Sequence, residues 1–290
     1  MSDINGYLIV AACAAIVTFA VTPFVMSLAR LKNWMAQPDP RKVHTTPTPD
    51  IGGVALLVGI ITALLLAWQM DRFGPLFDGS SEMLGVAIAA IAICAIGFID
   101  DVREISAPAK VAGTAGVGMV LVWAGVTMFY FRVPYFDVFV LSNDWIPLVT
   151  ILWLLVMTEA INLIDGLDGL ATGIVAIASA AFFLYSRHLG DLGLLAEPNI
   201  GPLVAAVTFG ACIGFLPHNF NPAKIFMGDS GALLLGLMLA ISTSVVGGRA
   251  DPATQDFNSQ TYFFLAPLFI PLLILGVPIF DVLFAIVRRA

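Results

Sequence analysis

Carboxylates beside glycine, placed where apolar stretches end, are the residues of this sequence best suited to chemistry. The segment 97–101 has the sequence GFIDD and closes a long apolar run, which puts Asp100 and Asp101 at the C-terminus of a predicted helix. The helix dipole and their mutual repulsion both disfavour two negative charges there, and a cation relieves both. The pair is a candidate site for Mg²⁺ or for a proton in transit, the alternative being a solvated turn neutralised by Arg103.

A second acidic segment, residues 162–170, has the sequence NLIDGLDGL and joins two apolar runs. Asn162, Asp165 and Asp168 are three residues apart, so a helical turn would spread them over about a third of its circumference. The two Asp-Gly steps interrupt the helix and let the backbone approach a ligand closely. The pattern favours a phosphate or nucleotide site over a plain tight loop.

The third acidic segment, residues 219–231, has the sequence NFNPAKIFMGDSG and leads into another apolar run. Asp229 and Ser230 are ordinary N-cap residues, and this role alone would explain them. A helix N-terminus is also a natural anion site. Asp229 could therefore hold Mg²⁺ against a diphosphate.

Basic residues precede the second apolar run and open the fourth. Residues 41–53 (RKVHTTPTPDIGG) contain Lys42 and His44, and Lys110 lies at the start of a later run. The positive-inside rule alone could explain these basic residues, or they could contact phosphates. Their positions in the sequence do not decide between the two interpretations.

The elements that must position these residues are membrane helices. Hydrophobic residues make up 59% of the 290 residues, charged residues make up 11%, and the mean hydropathy is +0.96. Because a soluble globular chain carries about a quarter charged residues, this chain cannot cover itself with polar surface. We therefore predict an integral membrane protein. The net charge of −7 and the lack of a Lys/Arg run argue against a nucleic-acid partner.

Nine apolar stretches are long enough to cross a bilayer, which takes about 20 residues. They cover residues 7–29, 51–69, 83–100, 109–128, 145–163, 170–187, 201–217, 230–247 and 261–287. The predicted fold is an all-α polytopic membrane protein, with one transmembrane domain over residues 1–290. The aromatic-rich segment 127–140 predicts a short extended hairpin at the membrane interface, on the side away from the acidic segments.

Alternating the loops across nine spans separates the basic residues unevenly. One side receives Arg30, Lys32, Arg41, Lys42, Arg103, Lys110, Lys224, Arg288 and Arg289, and the other receives Arg72, Arg132, Arg187 and Arg249. The positive-inside rule makes the first side cytoplasmic and leaves the N-terminus outside. All three acidic segments lie on that first side, so catalytic loops are predicted to face the cytoplasm.

These segments resemble the polyprenyl-phosphate N-acetylhexosamine-1-phosphate transferase family in their order and sidedness. The most specific match is 162–171 (NLIDGLDGLA), followed by 226–231 (FMGDSG) and 97–101 (GFIDD). Residues 278–281 (PIFD), followed by Arg288, resemble the family's last long helix.

The sequence resembles two branches of this family to different degrees. Residues 41–53 resemble the branch that transfers GlcNAc-1-phosphate from UDP-GlcNAc to undecaprenyl or decaprenyl phosphate. The muramoyl-pentapeptide branch ranks second, because it usually has Thr at the position of Ile164 and Ala at that of Ile99.

The resemblance implies that a lipid phosphate attacks the β-phosphate of a UDP-sugar and releases UMP, at the cytoplasmic face of a bacterial plasma membrane. This step would initiate synthesis of a cell-envelope polysaccharide. The expected partners are a UDP-N-acetylhexosamine, a polyprenyl phosphate and the bilayer, with a homodimer as an open alternative. Mg²⁺, or alternatively Mn²⁺, is expected on Asp229.

The resemblance also implies roles for the other candidate residues. Asp100, Asp101 and Asp165 take the catalytic positions, the first two orienting or deprotonating the lipid phosphate. Asp165 would also line the nucleotide-sugar pocket. The implied substrate-binding residues are Asn162, Leu167, Asp168, Phe226, Lys110, Lys42 and His44, with Phe226 near the uracil and the three basic residues offsetting phosphate charge.

The sequence departs from the family in three places. Glu159 stands where Asn is usual, and Thr114 stands where Gln is frequent. The sequence also stops at Ala290, before the family's cytoplasmic His-rich loop and last span, so we expect a fragment or a truncated chain. The open alternatives are a non-catalytic nucleotide-sugar-binding fragment and, in a different class, a membrane transporter.

Overall fold

The computed structural model is helical apart from two short strand pairs, and it describes residues 4–36, 47–132, 138–193, 195 and 197–247. The helices are α1 (Asn5–Lys32), α2 (Gly53–Trp68), α3 (Gly74–Phe77), α4 (Glu82–Arg103), α5 (Ala107–Trp123), α6 (Trp145–Ile164), α7 (Leu170–Asp191), α8 (Gly201–Asn219) and α9 (Gly228–Gly247). A 3₁₀ turn, Asp71–Phe73, precedes α3. The strands are β1 (Met35–Ala36), β2 (Thr48–Pro49), β3 (Tyr130–Arg132) and β4 (Val138–Val140), and β1 pairs with β2 and β3 with β4, both antiparallel.

Each of the first eight predicted spans overlaps one helix. Within the described residues, six helices are long and apolar enough to cross a membrane: α1, α4, α6, α7, α8 and α9. The number rises to seven if α2 and residues 71–77, which meet at an angle of 93°, form one broken span. Helix α5 is apolar but shorter. The ninth predicted span, 261–287, lies outside the described residues. The chain is a polytopic helical membrane protein, and nine spans stay a prediction.

The outward faces of the helices carry large apolar side chains. Phe24 is 75% exposed, Leu31 83%, Trp123 79% and Ile177 73%. Large apolar side chains exposed in such number are typical of a surface that meets lipid or protein. The helices are thus apolar on the outside as well as in the core, as a bilayer requires.

Helix α9 lies at the centre of the bundle and packs against α2, α4, α6, α7 and α8. Nearly all of its residues are buried. Small residues allow the close approach, because a Cβ at Gly236 would lie 2.6 Å from the Cα atom of Thr158 in α6.

Helices α1 and α8 also pack backbone to backbone. A Cβ at Gly210 or Gly214 would overlap the carbonyl groups of Ala11 and Ala15 in α1, so this small-xxx-small pair is needed for the contact. Pro23 lies inside α1 and has no N–H to offer the Phe19 carbonyl four residues before it. His218 Nε2 in α8 lies 3.2 Å from that oxygen and donates the missing hydrogen bond.

The predicted hairpin is present within the segment 127–140. Its strands β3 and β4 pair antiparallel, with Tyr130 opposite Val140 and Arg132 opposite Val138. The hairpin joins α5 to α6 at one end of the bundle. At the other end, α4 and α6 finish while α2, α5, α7 and α9 begin, and this end carries the three acidic segments.

Candidate active site

Three charged side chains meet where α4 ends and α5 and α9 begin. The Lys110 ammonium lies 2.5 Å from Asp100 Oδ2 and also contacts Asp229 Oδ2. These side chains are only 14%, 13% and 28% exposed, in the order Lys110, Asp100, Asp229. Partial burial strengthens the attraction, because water screens the charges less than it does at an open surface. Two carboxylates from different helices thus converge on one cation.

Asp100 and Asp101 are neighbours in sequence but perform different structural tasks. Asp100 Oδ1 accepts a hydrogen bond of 2.7 Å from the amide of Ile105, which fixes the turn after α4. Both oxygens of Asp101 face the start of α9: Oδ1 accepts from the Asp229 amide at 2.7 Å and Oδ2 from the Ser230 amide at 3.1 Å. Asp101 therefore caps α9 from another helix and holds Asp229 in place.

Glycine permits this close approach at two positions. Gly228, the first residue of α9, has φ of +65°, and a Cβ there would lie 2.7 Å from the Asp101 carboxylate. A Cβ at Gly97 in α4 would lie 2.5 Å from the backbone of Asp229 and Ser230. The beginning of α9 is thus seated directly on the end of α4.

Asp165 lies immediately after α6, in the turn that leads to α7. Burial, together with the negative charges of Asp50 and Asp229, raises its pKa from 3.8 to about 7. Its ionisation near neutral pH therefore depends on whether a cation is close. We call Asp100, Asp101, Lys110, Asp165 and Asp229 the carboxylate cluster.

Asp168 ties the turn before α7 to the loop before α9. Its Oδ2 accepts hydrogen bonds from Asn221 Nδ2 at 3.0 Å and from the Ala223 amide at 2.9 Å. Asn219 supports the same loop, because its side chain accepts from Thr172 Oγ1 at 2.8 Å and donates to the Ile225 carbonyl at 3.0 Å. The second and third acidic segments are thus held together by hydrogen bonds.

Phe226 is fixed through its backbone to the segment before α2. Its amide donates to the Pro49 carbonyl at 2.8 Å, and its carbonyl accepts from the Gly52 amide at 3.0 Å. The segment 41–53 therefore ends beside the loop before α9.

A sequence profile of one known family covers this arrangement. The profile of glycosyl transferase family 4 matches residues 83–247, more than half of the chain and all five members of the carboxylate cluster. The chain belongs to glycosyl transferase family 4. The resemblance inferred from the acidic segments is confirmed.

Individual relatives in curated collections are similar over most of the chain. The decaprenyl-phosphate N-acetylglucosaminephosphotransferase of Mycobacterium leprae is 39% identical over 95% of this chain and 70% of its own length. The probable undecaprenyl-phosphate N-acetylglucosaminyl 1-phosphate transferase of Bacillus subtilis is 36% identical over 93% of this chain and 68% of its own. The phospho-N-acetylmuramoyl-pentapeptide-transferase of Mycobacterium bovis is 33% identical over 80% of this chain and 74% of its own length.

In this family 4 member, the predicted site residues fall into four groups. Five form the carboxylate cluster, and Asp168 and Phe226 are held beside it by the loop contacts above. Asn162 lies in the last turn of α6, where its carbonyl accepts the Asp165 amide, and Leu167 is 56% exposed in the turn that follows. Lys42 and His44 lie outside the described residues.

Asp50 is a member of this environment that the sequence analysis did not single out. Its charge raises the pKa of Asp165, and its carbonyl lies beside Gly228. Its sequence signal was an acidic residue two positions before Gly52-Gly53, at the start of a predicted span and on the same side as the other carboxylates.

The oxygen atoms of the cluster suit a hard divalent cation. Among the described residues, no three side chains of His, Cys, Asp or Glu stand close enough to hold a metal by themselves. Mg²⁺, however, is commonly held by one or two carboxylates together with water and substrate phosphates. Asp100 and Asp229 already converge on one cationic group, so they form a donor pair of the required kind.

Proposed function

We propose that this family 4 enzyme transfers GlcNAc-1-phosphate from UDP-GlcNAc to a polyprenyl phosphate, giving polyprenyl-diphospho-GlcNAc and UMP. The single observation that supports it most is the convergence of Asp100, Lys110 and Asp229 at the end of the bundle. The names of the mycobacterial and bacillar relatives support the lipid phosphate and the N-acetylglucosamine phosphate.

The reaction is a phosphoryl transfer. An oxygen of the lipid phosphate bonds to the β-phosphorus of UDP-GlcNAc, while the bond from that phosphorus to the oxygen bridging the α-phosphate breaks. The electron pair of the broken bond leaves with UMP. Such a transfer needs in-line positioning and neutralisation of charge more than covalent help from the protein.

The residues of the carboxylate cluster can supply both the positioning and the neutralisation of charge. Lys110 brings a positive charge to the phosphates, and its two carboxylate partners fix where that charge lies. Asp100 is placed to orient the lipid phosphate or accept its proton. Asp101 acts on Asp229 through the backbone of α9, so we assign it a positioning role in place of the predicted catalytic one.

Asp229, together with Asp100, is the proposed ligand of Mg²⁺, with Mn²⁺ as an alternative. When bound, the ion would neutralise charge on the diphosphate. Asp165 belongs to the same environment as Asp229, because the charge of Asp229 contributes to its raised pKa. A divalent cation bound nearby would lower that pKa and return the Asp165 carboxyl to its ionised form.

The nucleotide-sugar pocket is proposed to lie on the turn 165–169 and the loop 220–227, which Asp168 joins. Asn162, Leu167 and Phe226 would line it, with Phe226 near the uracil. Lys42 and His44 would contact phosphate from the segment before α2, whose end lies beside Phe226.

We also propose nine spans, an N-terminus outside and the cluster at the cytoplasmic face of a bacterial inner membrane. The distribution of Lys and Arg supports this orientation. On the described part of the chain, Arg30, Lys32, Arg103, Lys110 and Lys224 lie towards the cluster end and Arg72, Arg132 and Arg187 towards the other. A homodimer is compatible with the large exposed apolar surface.

The test is an assay of solubilised protein with polyprenyl phosphate, Mg²⁺ and one of two donors, UDP-GlcNAc or UDP-MurNAc-pentapeptide. We expect UMP and lipid-linked sugar in equal amounts with UDP-GlcNAc, and loss of both with EDTA. Turnover of the pentapeptide donor alone would overturn the sugar assignment in favour of the branch shared with the M. bovis relative. Binding of UDP-GlcNAc without release of UMP would identify a non-catalytic binding protein.

A further inference from the structure

A cavity of about 450 Å³ lies at the end of the bundle opposite the carboxylate cluster. It is formed where α1 begins, α7 ends and the break after α2 meets the segment before α8. Its charged and aromatic lining consists of Tyr7, Arg72, Phe73, Arg187, Asp191 and Glu197. Its size is within the range of small-ligand sites, which span about 300–1,000 Å³.

Two arginines converge on one aromatic ring in this cavity. The guanidinium carbons of Arg72 and Arg187 lie 5.5 Å and 5.7 Å from the centre of the Tyr7 ring, and Arg72 also lies 5.1 Å from that of Phe73. Stacking on an aromatic ring fixes the plane of a guanidinium. Each guanidinium carries five N–H donors in one plane, a geometry that suits two-point contact with phosphate oxygens.

The packing of α1 makes room for one of these arginines. Gly6 is buried, and a Cβ at this position would overlap the side chain of Arg72. Tyr7 is itself held between Phe73 and Phe183, with ring centres at 5.1 Å and 5.3 Å. The cationic part of the cavity is therefore built into the bundle.

Asp191 and Glu197 line the same cavity, so it offers two cationic and two anionic groups. Tyr7 is in the first turn of α1 and Asp191 is the last residue of α7. Both positions lie at the ends of helices that are long and apolar enough to cross a membrane, and such ends are expected near the lipid headgroups. A ligand complementary to this lining carries a phosphate for the arginines and a protonated amine for the carboxylates.

We infer that this cavity binds the phosphoethanolamine group of a membrane lipid, at the face opposite the transferase site. The phosphate oxygens accept hydrogen bonds from Arg72 and Arg187, as guanidinium and phosphate geometry favours. The primary ammonium donates to Asp191 and Glu197. A choline group cannot make the second contact, because its nitrogen carries no hydrogen.

The test is calorimetric titration of the purified full chain, in detergent free of phospholipid, with dihexanoyl phosphatidylethanolamine below its micelle concentration. We expect saturable binding at one site per chain, and weaker binding of dihexanoyl phosphatidylcholine and dihexanoyl phosphatidic acid. Arg72→Gln and Arg187→Gln should each weaken binding about tenfold or more, the usual cost of a charge-assisted hydrogen bond. Arg30→Gln, which removes an exposed arginine of α1 near its other end, is the matched control.

Gly6→Ala keeps every charge but displaces Arg72, so it should weaken binding as well. The melting temperature of each variant shows whether it is folded. Free phosphoethanolamine that binds as tightly as the short-chain lipid would support the same group but point to a soluble source. No saturable binding to the wild-type chain, or equal binding to the folded Arg72→Gln/Arg187→Gln variant, would overturn the inference and leave the four charges pairing only with one another.

Discussion

Lys110 contacts both Asp100 and Asp229, and Asp229 lies 119 positions after Lys110 in the chain. This contact links the first and third acidic segments through single side chains. The sequence analysis placed all three residues on one side of the membrane, but it could not pair them. Which carboxylates share a cation depends on how α4, α5 and α9 approach one another, and no spacing along the chain encodes that.

Replacing Asp229 with Asn should lower the rate of UMP release by about a hundredfold or more. The change removes the charge proposed to bind Mg²⁺ and breaks the contact with Lys110, and loss of one group that stabilises transition-state charge costs about that much. Asp78→Asn, the same change at an exposed acid of the opposite end, should leave the rate unaltered. Full activity of Asp229→Asn would exclude this residue as the metal ligand.

The raised pKa of Asp165 predicts a pH dependence of the Mg²⁺ requirement. Below about pH 7 its carboxyl is protonated in the folded protein and must lose a proton before it can favour a cation. The Mg²⁺ concentration for half-maximal rate should therefore fall roughly tenfold from pH 6 to pH 8, as one linked proton requires.

The same raised pKa predicts that the free energy of unfolding falls as pH rises, whereas binding of Mg²⁺ is favoured. The folded state keeps a proton that the unfolded state has released above pH 3.8, so without Mg²⁺ the contribution of Asp165 to stability falls as pH rises through about 7. Asp165→Asn should weaken both dependences. An unchanged pH profile in this variant would assign the titration to another group.

At the scale of helices, Asp101 and Asp168 connect elements that are distant in sequence. Asp101 caps α9 from the end of α4, and Asp168 anchors the loop before α9 from the turn before α7. The sequence marked both as site residues because acidic side chains are rare in membrane spans. It did not reveal that their oxygens are used by backbone amides, since such caps form only after the helices have packed.

Replacing Gly97 with Ala should displace the beginning of α9 and lower both the melting temperature and the transfer rate, the rate by about tenfold or more. A 1 Å misplacement of reacting groups has a cost of that order or larger. The control is Gly116→Ala in α5, where a Cβ meets no atom within 4 Å. That variant should fold and turn over normally. Equal behaviour of the two variants would show that close contact between α4 and α9 does not position Asp229.

The positions of the helices were largely predictable, whereas their relative depth in the bundle was not. Long apolar runs bounded by charged or glycine-rich loops located the eight described helices that overlap predicted spans. Helices α1 and α9 are both long and apolar enough to cross a membrane, yet the first faces outward over much of its length and the second is almost wholly buried. Because lipid tails and protein interiors are equally apolar, hydropathy cannot distinguish the two surroundings.

At the scale of the whole molecule, the proposed orientation can be tested by labelling. Ser106 lies between α4 and α5 at the cluster end, and Ser142 lies before α6 at the opposite end, and both are exposed. In intact cells, a membrane-impermeant maleimide should label S142C and should label S106C only after the membrane is opened. The unaltered chain is the control, because Cys94 and Cys212 are buried and Cys13 is half-buried. The reverse pattern would place the transferase site outside.

The central position of α9 has a consequence for how the protein is made. In the described part of the chain, the five helices that pack against it all precede it in sequence. A ribosome that delivers the helices to the membrane in order therefore inserts these five helices before α9 is synthesised. Helix α9 can pass from the translocation channel into a slot already lined with protein, and Asp229 then meets Asp100 and Lys110 as the last of the three to arrive.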